Sequence, residues 1–123
     1  MKFYTRKIVK PEDLNSHSSL FGGRVLEWVD EEAAIFALCQ LETTDIVTKF
    51  ISEINFVNSA YLGDIIEIGV DTISIGNTSI TLQCEVRDKS TKKTLVTVDR
   101  IVFVCVDKYG KPKSHGKILN SLL

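Results

Sequence analysis

Apolar positions along the chain change period once, and the change predicts the architecture. From Gly23 to about Gln40 there is no proline, and Val25, Leu26, Val29, Ala33 and Phe36 recur on one face. Their spacing fits a rotation of roughly 100° per residue, as an amphipathic helix requires. Arg24, Glu27 and Glu31 fall on the other side. Further on, the period drops to two. "TKFISEINFV" predicts one strand, and "GDIIEIGVDTISIG" a longer one in which Ile66, Ile68 and Val70 alternate with Glu67 and Asp71. "NTSITLQCEVRD" alternates most cleanly, with Ile80, Leu82, Cys84 and Val86 inward and Thr81, Gln83, Glu85 and Arg87 outward. Gly76-Asn77 ahead of it signals a hairpin turn. "TLVTVDRIVFVCVD" is apolar on both faces over its second half, which predicts a central strand or one covered by a partner.

A first strand over residues 3–9 and the loop "KPEDLNSHSS" precede the helix. One helix must then cover a sheet of about five antiparallel strands. The simplest solution is an α+β fold with a helix about 26 Å long laid across a curved sheet. Residues 1–123 are expected to form a single domain, with 113–123 as a loose, lysine-containing tail.

Composition narrows the function classes. With 44% hydrophobic and 25% charged residues in 123, the chain can bury one core. Fifteen basic against sixteen acidic residues give no global field to attract nucleic acid or an anionic membrane. "MKFYTRKIVK" has no apolar signal core, and no apolar run reaches the roughly 20 residues of a membrane span. The expected location is therefore the cytoplasm. Cys39, Cys84 and Cys105 are odd in number, widely spaced and set in apolar stretches. That predicts buried free thiols, with no disulfide frame and no metal site.

The candidate chemistry lies in "HSSLFGGRVLEWVDEEAAIFA", residues 17–37. Asp30 sits at the shoulder of the apolar stripe, between the directions of Ala34 and Ala37. A carboxylate there is costly to desolvate unless it is paired or serves a ligand. Gly22 and Gly23 at the helix entrance permit close approach to the backbone, where unpaired N–H groups and the helix dipole suit a developing oxyanion. Together these describe an acyl-transfer site. The residues alone leave other readings open. Asp30 could cap a backbone or meet a lysine, Asn15 could stabilise its own loop, and His17 could be solvated.

"DLNSHSSLFGGRVLEWVDEEAAIFA" resembles the signature of the hotdog-fold acyl-CoA thioesterases, in particular the acyl-CoA hydrolase branch. "INFVNSAYLGDII", "GNTSITLQCEV" and "IVFVCVDKYGKP" resemble later segments of that family in the same order, so the resemblance covers roughly residues 5–113. It implies a long helix wrapped by a five-stranded antiparallel sheet. It further implies edge-to-edge pairing of two protomers into one sheet, the site at their interface, and often a hexamer as a trimer of dimers.

By the same resemblance Asp30 is the catalytic acid or base, Asn15 comes from the other subunit, and Gly22 or Gly23 supplies the oxyanion-binding backbone. His17, Phe21, Phe56, Thr78 and Ser79 are candidate substrate contacts, and Lys108, Lys111 and Lys113 could meet coenzyme A phosphates. No cofactor is expected, since coenzyme A is part of the substrate. The chain departs from the family at Ser18, where glycine is frequent, and at "VNSA", where many members have a Lys-Pro or Arg-Pro pair. The implied reaction is hydrolysis of an acyl-CoA thioester to free acid and coenzyme A. The alternatives are a hotdog hydratase or dehydratase, which typically pairs a histidine with an acidic residue, and a non-catalytic acyl-CoA-binding module.

Overall fold

A computed structural model describes residues 1–118 of the chain. Strand β1 (Lys2–Ile8) leads through a short 3-10 turn to helix α1 (Gly22–Leu41). Five strands follow: β2 (Ile46–Ile51), β3 (Ile54–Phe56), β4 (Ile65–Ile75), β5 (Ser79–Asp88) and β6 (Thr94–Cys105). They form one antiparallel sheet in the order β1-β4-β5-β6-β2, with β3 also pairing with β6. Six strands thus stand where about five were expected. The extra one arises because "TKFISEINFV" is interrupted at Ser52 and Glu53. There the Ser52 hydroxyl accepts the Arg100 N–H at 2.9 Å, a place that a backbone carbonyl fills in an unbroken ladder. Ile51 opposite Ile101 and Ile54 opposite Val98 keep the same register across the gap. β6 lies between β5 and the β2–β3 pair, which explains its apolar character on both faces.

Helix α1 packs on one face of the sheet through Val25, Val29, Ala33, Ala37 and Leu41, a ridge of i+4 steps whose two alanines allow close approach. Leu26 and Phe36 are half-buried beside it. The ridge meets Ile66, Ile68 and Val70 of β4, Ile80, Leu82, Cys84 and Val86 of β5, and Val96, Val98, Ile101 and Phe103 of β6. Each fully covered Ile, Leu or Phe contributes about 1.5–3 kcal/mol relative to exposure. Register shifts, such as those between Phe3 and Thr5 in β1 and between Thr48 and Phe50 in β2, bend the strands around the helix.

Three expectations change. Cys84 and Cys105 are buried, but Cys39 is exposed. It stands two residues from both Ala37 and Leu41, about 200° around the helix from the buried ridge. Burial, with the nearby carboxylates of Glu32 and Glu85, pushes the Cys84 thiol up to about 12. The second change concerns Glu67, which the alternation sets on the outer face. It is on that face, yet buried, under the stems of Arg6, Arg87 and Lys92. The third concerns the tail. Residues up to Lys117 are tied back to the body: the Lys113 N–H donates to Cys105 O at 2.8 Å, and Lys117 pairs with Glu42 at 3.3 Å. The remainder of that predicted tail, residues 119–123, lies outside the described residues.

Candidate active site

The first turn of α1 has no side-chain cap. Phe21 occupies the N-cap in extended conformation, and its carbonyl accepts the N–H groups of Arg24 and Val25 at 3.0 and 3.2 Å. Gly22 and Gly23 precede those bonds, so their N–H groups belong to the unpaired positive end of the helix. Aromatic rings crowd both positions. A Cβ on Gly22 would lie 3.3 Å from the Phe56 ring, and one on Gly23 would lie 2.7 Å from the Phe21 ring.

Gly22, Phe56 and Asn15 line one cleft of about 570 Å³, which Ser19, Asn58 and Lys93 also border. Asn15 is held by its own loop. Its Oδ1 accepts the N–H groups of His17 at 2.8 Å and Ser19 at 3.2 Å, while its Nδ2 donates to Ser19 Oγ at 3.1 Å. Ser18, between those two donors, has φ 61°, the left-handed conformation that the missing glycine would adopt freely. The loop therefore fixes the Asn15 amide while Ser18 carries the strain. The substituted "VNSA" segment supplies Val57, Asn58, Ser59 and Ala60 to the cleft wall.

Asp30 stands two turns further along α1, half-buried, and does not line this cleft. Thr48 Oγ1 of β2 donates to Asp30 Oδ1 at 3.1 Å. Among the described residues Asp30 makes no ion pair, so neither a lysine partner nor a capping role accounts for it. Sequence reasoning missed Thr48. Only the register, which sets Thr48 opposite Phe103 on the helix side of the sheet, brings it to Asp30. β2 ends the strand order, so its other edge pairs with no strand among the described residues.

The remaining candidates scatter. The His17 side chain is exposed and borders neither Asp30 nor the cleft. Phe21 is exposed, with its ring over Gly23. Thr78 and Ser79 lie at the other end of the sheet. The Thr78 carbonyl accepts the Cys105 N–H at 2.7 Å, and the Ser79 carbonyl lies 3.0 Å from His115 Nε2. Lys108, Lys111 and Lys113 are exposed beside the turn at Asp107, which accepts the Lys111 N–H at 3.0 Å. Among the described residues no group of three His, Cys, Asp or Glu side chains is placed to hold a metal ion. No helix among them is long and apolar enough to cross a membrane.

An antiparallel sheet laid around one central helix, with an unpaired helix N-terminus and a carboxylate along the same helix, defines the hotdog class. Comparison with known proteins agrees. The thioesterase superfamily model matches residues 17–95. An uncharacterized acyl-CoA thioester hydrolase of Buchnera aphidicola subsp. Baizongia pistaciae is 32% identical over 119 residues, covering 92% of this chain and 87% of its own. A hexameric thioesterase from Yersinia pestis is 26% identical with a TM-score of 0.83, covering 92% of this chain and 93% of that one. A hexameric hotdog-fold thioesterase of Campylobacter jejuni is 26% identical with a TM-score of 0.81, covering 99% and 93%. The chain belongs to the thioesterase superfamily and is a thioester hydrolase.

Proposed function

We propose that the protein hydrolyses acyl-CoA thioesters to a free carboxylic acid and coenzyme A, with Asp30 as the catalytic carboxylate. The observation that carries this reading is the setting of Asp30. It is half-buried on the helix, bound to the neutral hydroxyl of Thr48 and, among the described residues, in no ion pair, beside the open edge of β2. A carboxylate so placed keeps its charge available for a water molecule or a carbonyl carbon. It acts either as general base on water or as the nucleophile that forms a mixed anhydride. The N–H groups of Gly22 and Gly23 polarise the thioester carbonyl. The leaving thiol resembles cysteine, with a pKa of about 8.5, and departs without a general acid.

The site is completed by a second copy joined at the β2 edge. In support, Asp30 is absent from the lining of the cleft that Asn15 and Gly22 share, so one chain keeps these groups apart. Asn15 of one protomer then meets Asp30 of its partner, and Phe56 borders the substrate. The hexameric relatives support further assembly into a trimer of dimers.

Thiol release from a series of acyl-CoAs tests the reading, and cleavage of at least one chain length is the expected result. Hydration of crotonyl-CoA without thiol release would establish the hydratase alternative, and tight binding without either reaction the non-catalytic module. Mixing inactive Asn15→Ala with inactive Asp30→Asn chains restores activity if each site draws on two subunits. No rescue in verified mixed dimers would refute the shared site.

A further inference from the structure

The cleft that Asn15 and Gly22 share is lopsided in charge. Lys93 is the one charged residue along its walls, and no aspartate or glutamate lines it. Lys93 stands in the turn between β5 and β6. Its neighbour Lys92, held at φ 64°, sends its ammonium to Glu67 on the outer face of the sheet at 3.1 Å. Lys93 makes no ion pair among the described residues. The turn is pinned to the facing wall, where Asn58 Nδ2 donates to the Thr94 carbonyl, one residue beyond Lys93, at 2.7 Å. Gly22, at the positive end of the helix, adds to the same field.

An uncompensated ammonium beside apolar walls discriminates between acyl groups. Val25, Val86, Leu95 and Val96 form much of the apolar lining. An alkyl chain lying on them strips water from Lys93 and returns nothing, whereas an acyl group ending in a carboxylate supplies the missing charge. The phosphates of coenzyme A do not meet this need. With the thioester carbonyl at Gly22, they lie at the far end of the extended pantetheine arm, about 15 Å away, whereas a sphere of 570 Å³ is about 10 Å across. A carboxylate two to four bonds beyond the carbonyl lies within about 5 Å of it. We propose that Lys93 selects acyl-CoAs whose acyl group carries a terminal carboxylate, an inference that rests on the acyl-CoA reading above. Water adds to the thioester carbonyl as before, so the products are a dicarboxylate and the coenzyme A thiol.

Glutaryl-CoA and pentanoyl-CoA carry acyl chains of equal carbon number and differ in the terminal charge. The wild type should cleave glutaryl-CoA with a kcat/KM about tenfold higher or more. Lys93→Gln should lower that value about tenfold, mostly through KM, without lowering the value for pentanoyl-CoA, and Lys93→Arg should keep the preference. A wild type that favours pentanoyl-CoA overturns the proposal. So does an equal loss on both substrates in Lys93→Gln, which would place the ammonium on the coenzyme end. If the wild type cleaves no thioester, the hydrolase reading fails, and calorimetric binding of the two non-hydrolysable ketone analogues decides the selectivity by itself. Tighter binding of the glutaryl analogue, lost in Lys93→Gln, upholds it, and equal binding overturns it.

Discussion

Glu67 on the outer face of the sheet and Asp30 on the helix are both carboxylates drawn away from water, and their company differs in kind. Glu67 accepts Arg87 Nε at 2.8 Å and Lys92 Nζ at 3.1 Å, with Arg6 Nε at 3.4 Å. Burial opposes its ionisation, but the hydrogen bonds and charge of Arg87 and Lys92 overcome this and bring it down to about 2. Asp30 has a threonine hydroxyl and an open strand edge. The first carboxylate is spent on holding three segments of chain together, whereas the second has no charged partner among the described residues. On the proposed reading of Asp30, the identity of a carboxylate's partners, rather than its burial alone, sets the reactive acid apart from the structural one.

The contrast can be broken by exchanging charge for amide at each position. Asp30→Asn should lower thioester hydrolysis by two to four orders of magnitude. Its melting temperature should stay within a few degrees of wild type, and an active variant would remove Asp30 from the chemistry. Glu67→Gln should do the reverse, retaining kcat while losing on the order of 2 to 3 kcal/mol of stability in denaturant titration. The sign with pH follows from a folded value of about 2 against an ordinary 4.5. This contribution is complete above pH 4.5 and disappears as the pH falls from there to 2. The wild type should lose stability over that window more steeply than Glu67→Gln.

Two smaller changes sharpen the comparison. Thr48→Val removes the only described donor to Asp30 Oδ1 and should reduce kcat about tenfold with folding intact. An unchanged kcat would show that the hydroxyl does not orient the carboxylate. Ser18→Gly relieves the left-handed backbone at φ 61° and should raise stability by about 0.5–1 kcal/mol in thermal melts. A loss there would mean that the serine side chain contributes more than its backbone strain costs.

These residues also show how far a sequence can be read. Ile80, Leu82, Cys84 and Val86 alternate in the chain and are all buried in the structure, because one strand under one helix obeys a local period. The helix was readable for the same reason, from Gly22 to Leu41 within a residue at each end. Glu67 was placed on its correct face, but its burial depends on Arg6, Arg87 and Lys92, which approach from distant positions and leave no trace in the period. Thr48 is likewise invisible until β2 finds its register on β6 and the bulge after it is set. For Asp30 the geometry of a wheel gave the shoulder position and, with the two glycines, pointed to acyl transfer, while the family resemblance added Asn15 of a second chain as its partner.

The open edge of β2 has one more consequence. Val47 and Phe50 are exposed on that strand, so a solitary chain presents unpaired backbone flanked by apolar side chains, the arrangement that invites promiscuous strand pairing. If a second copy covers it, dilution becomes a denaturing condition, and folding and association cannot be separated at low concentration. Protein supply in the cell would then govern not only how much enzyme is present but what fraction of it survives.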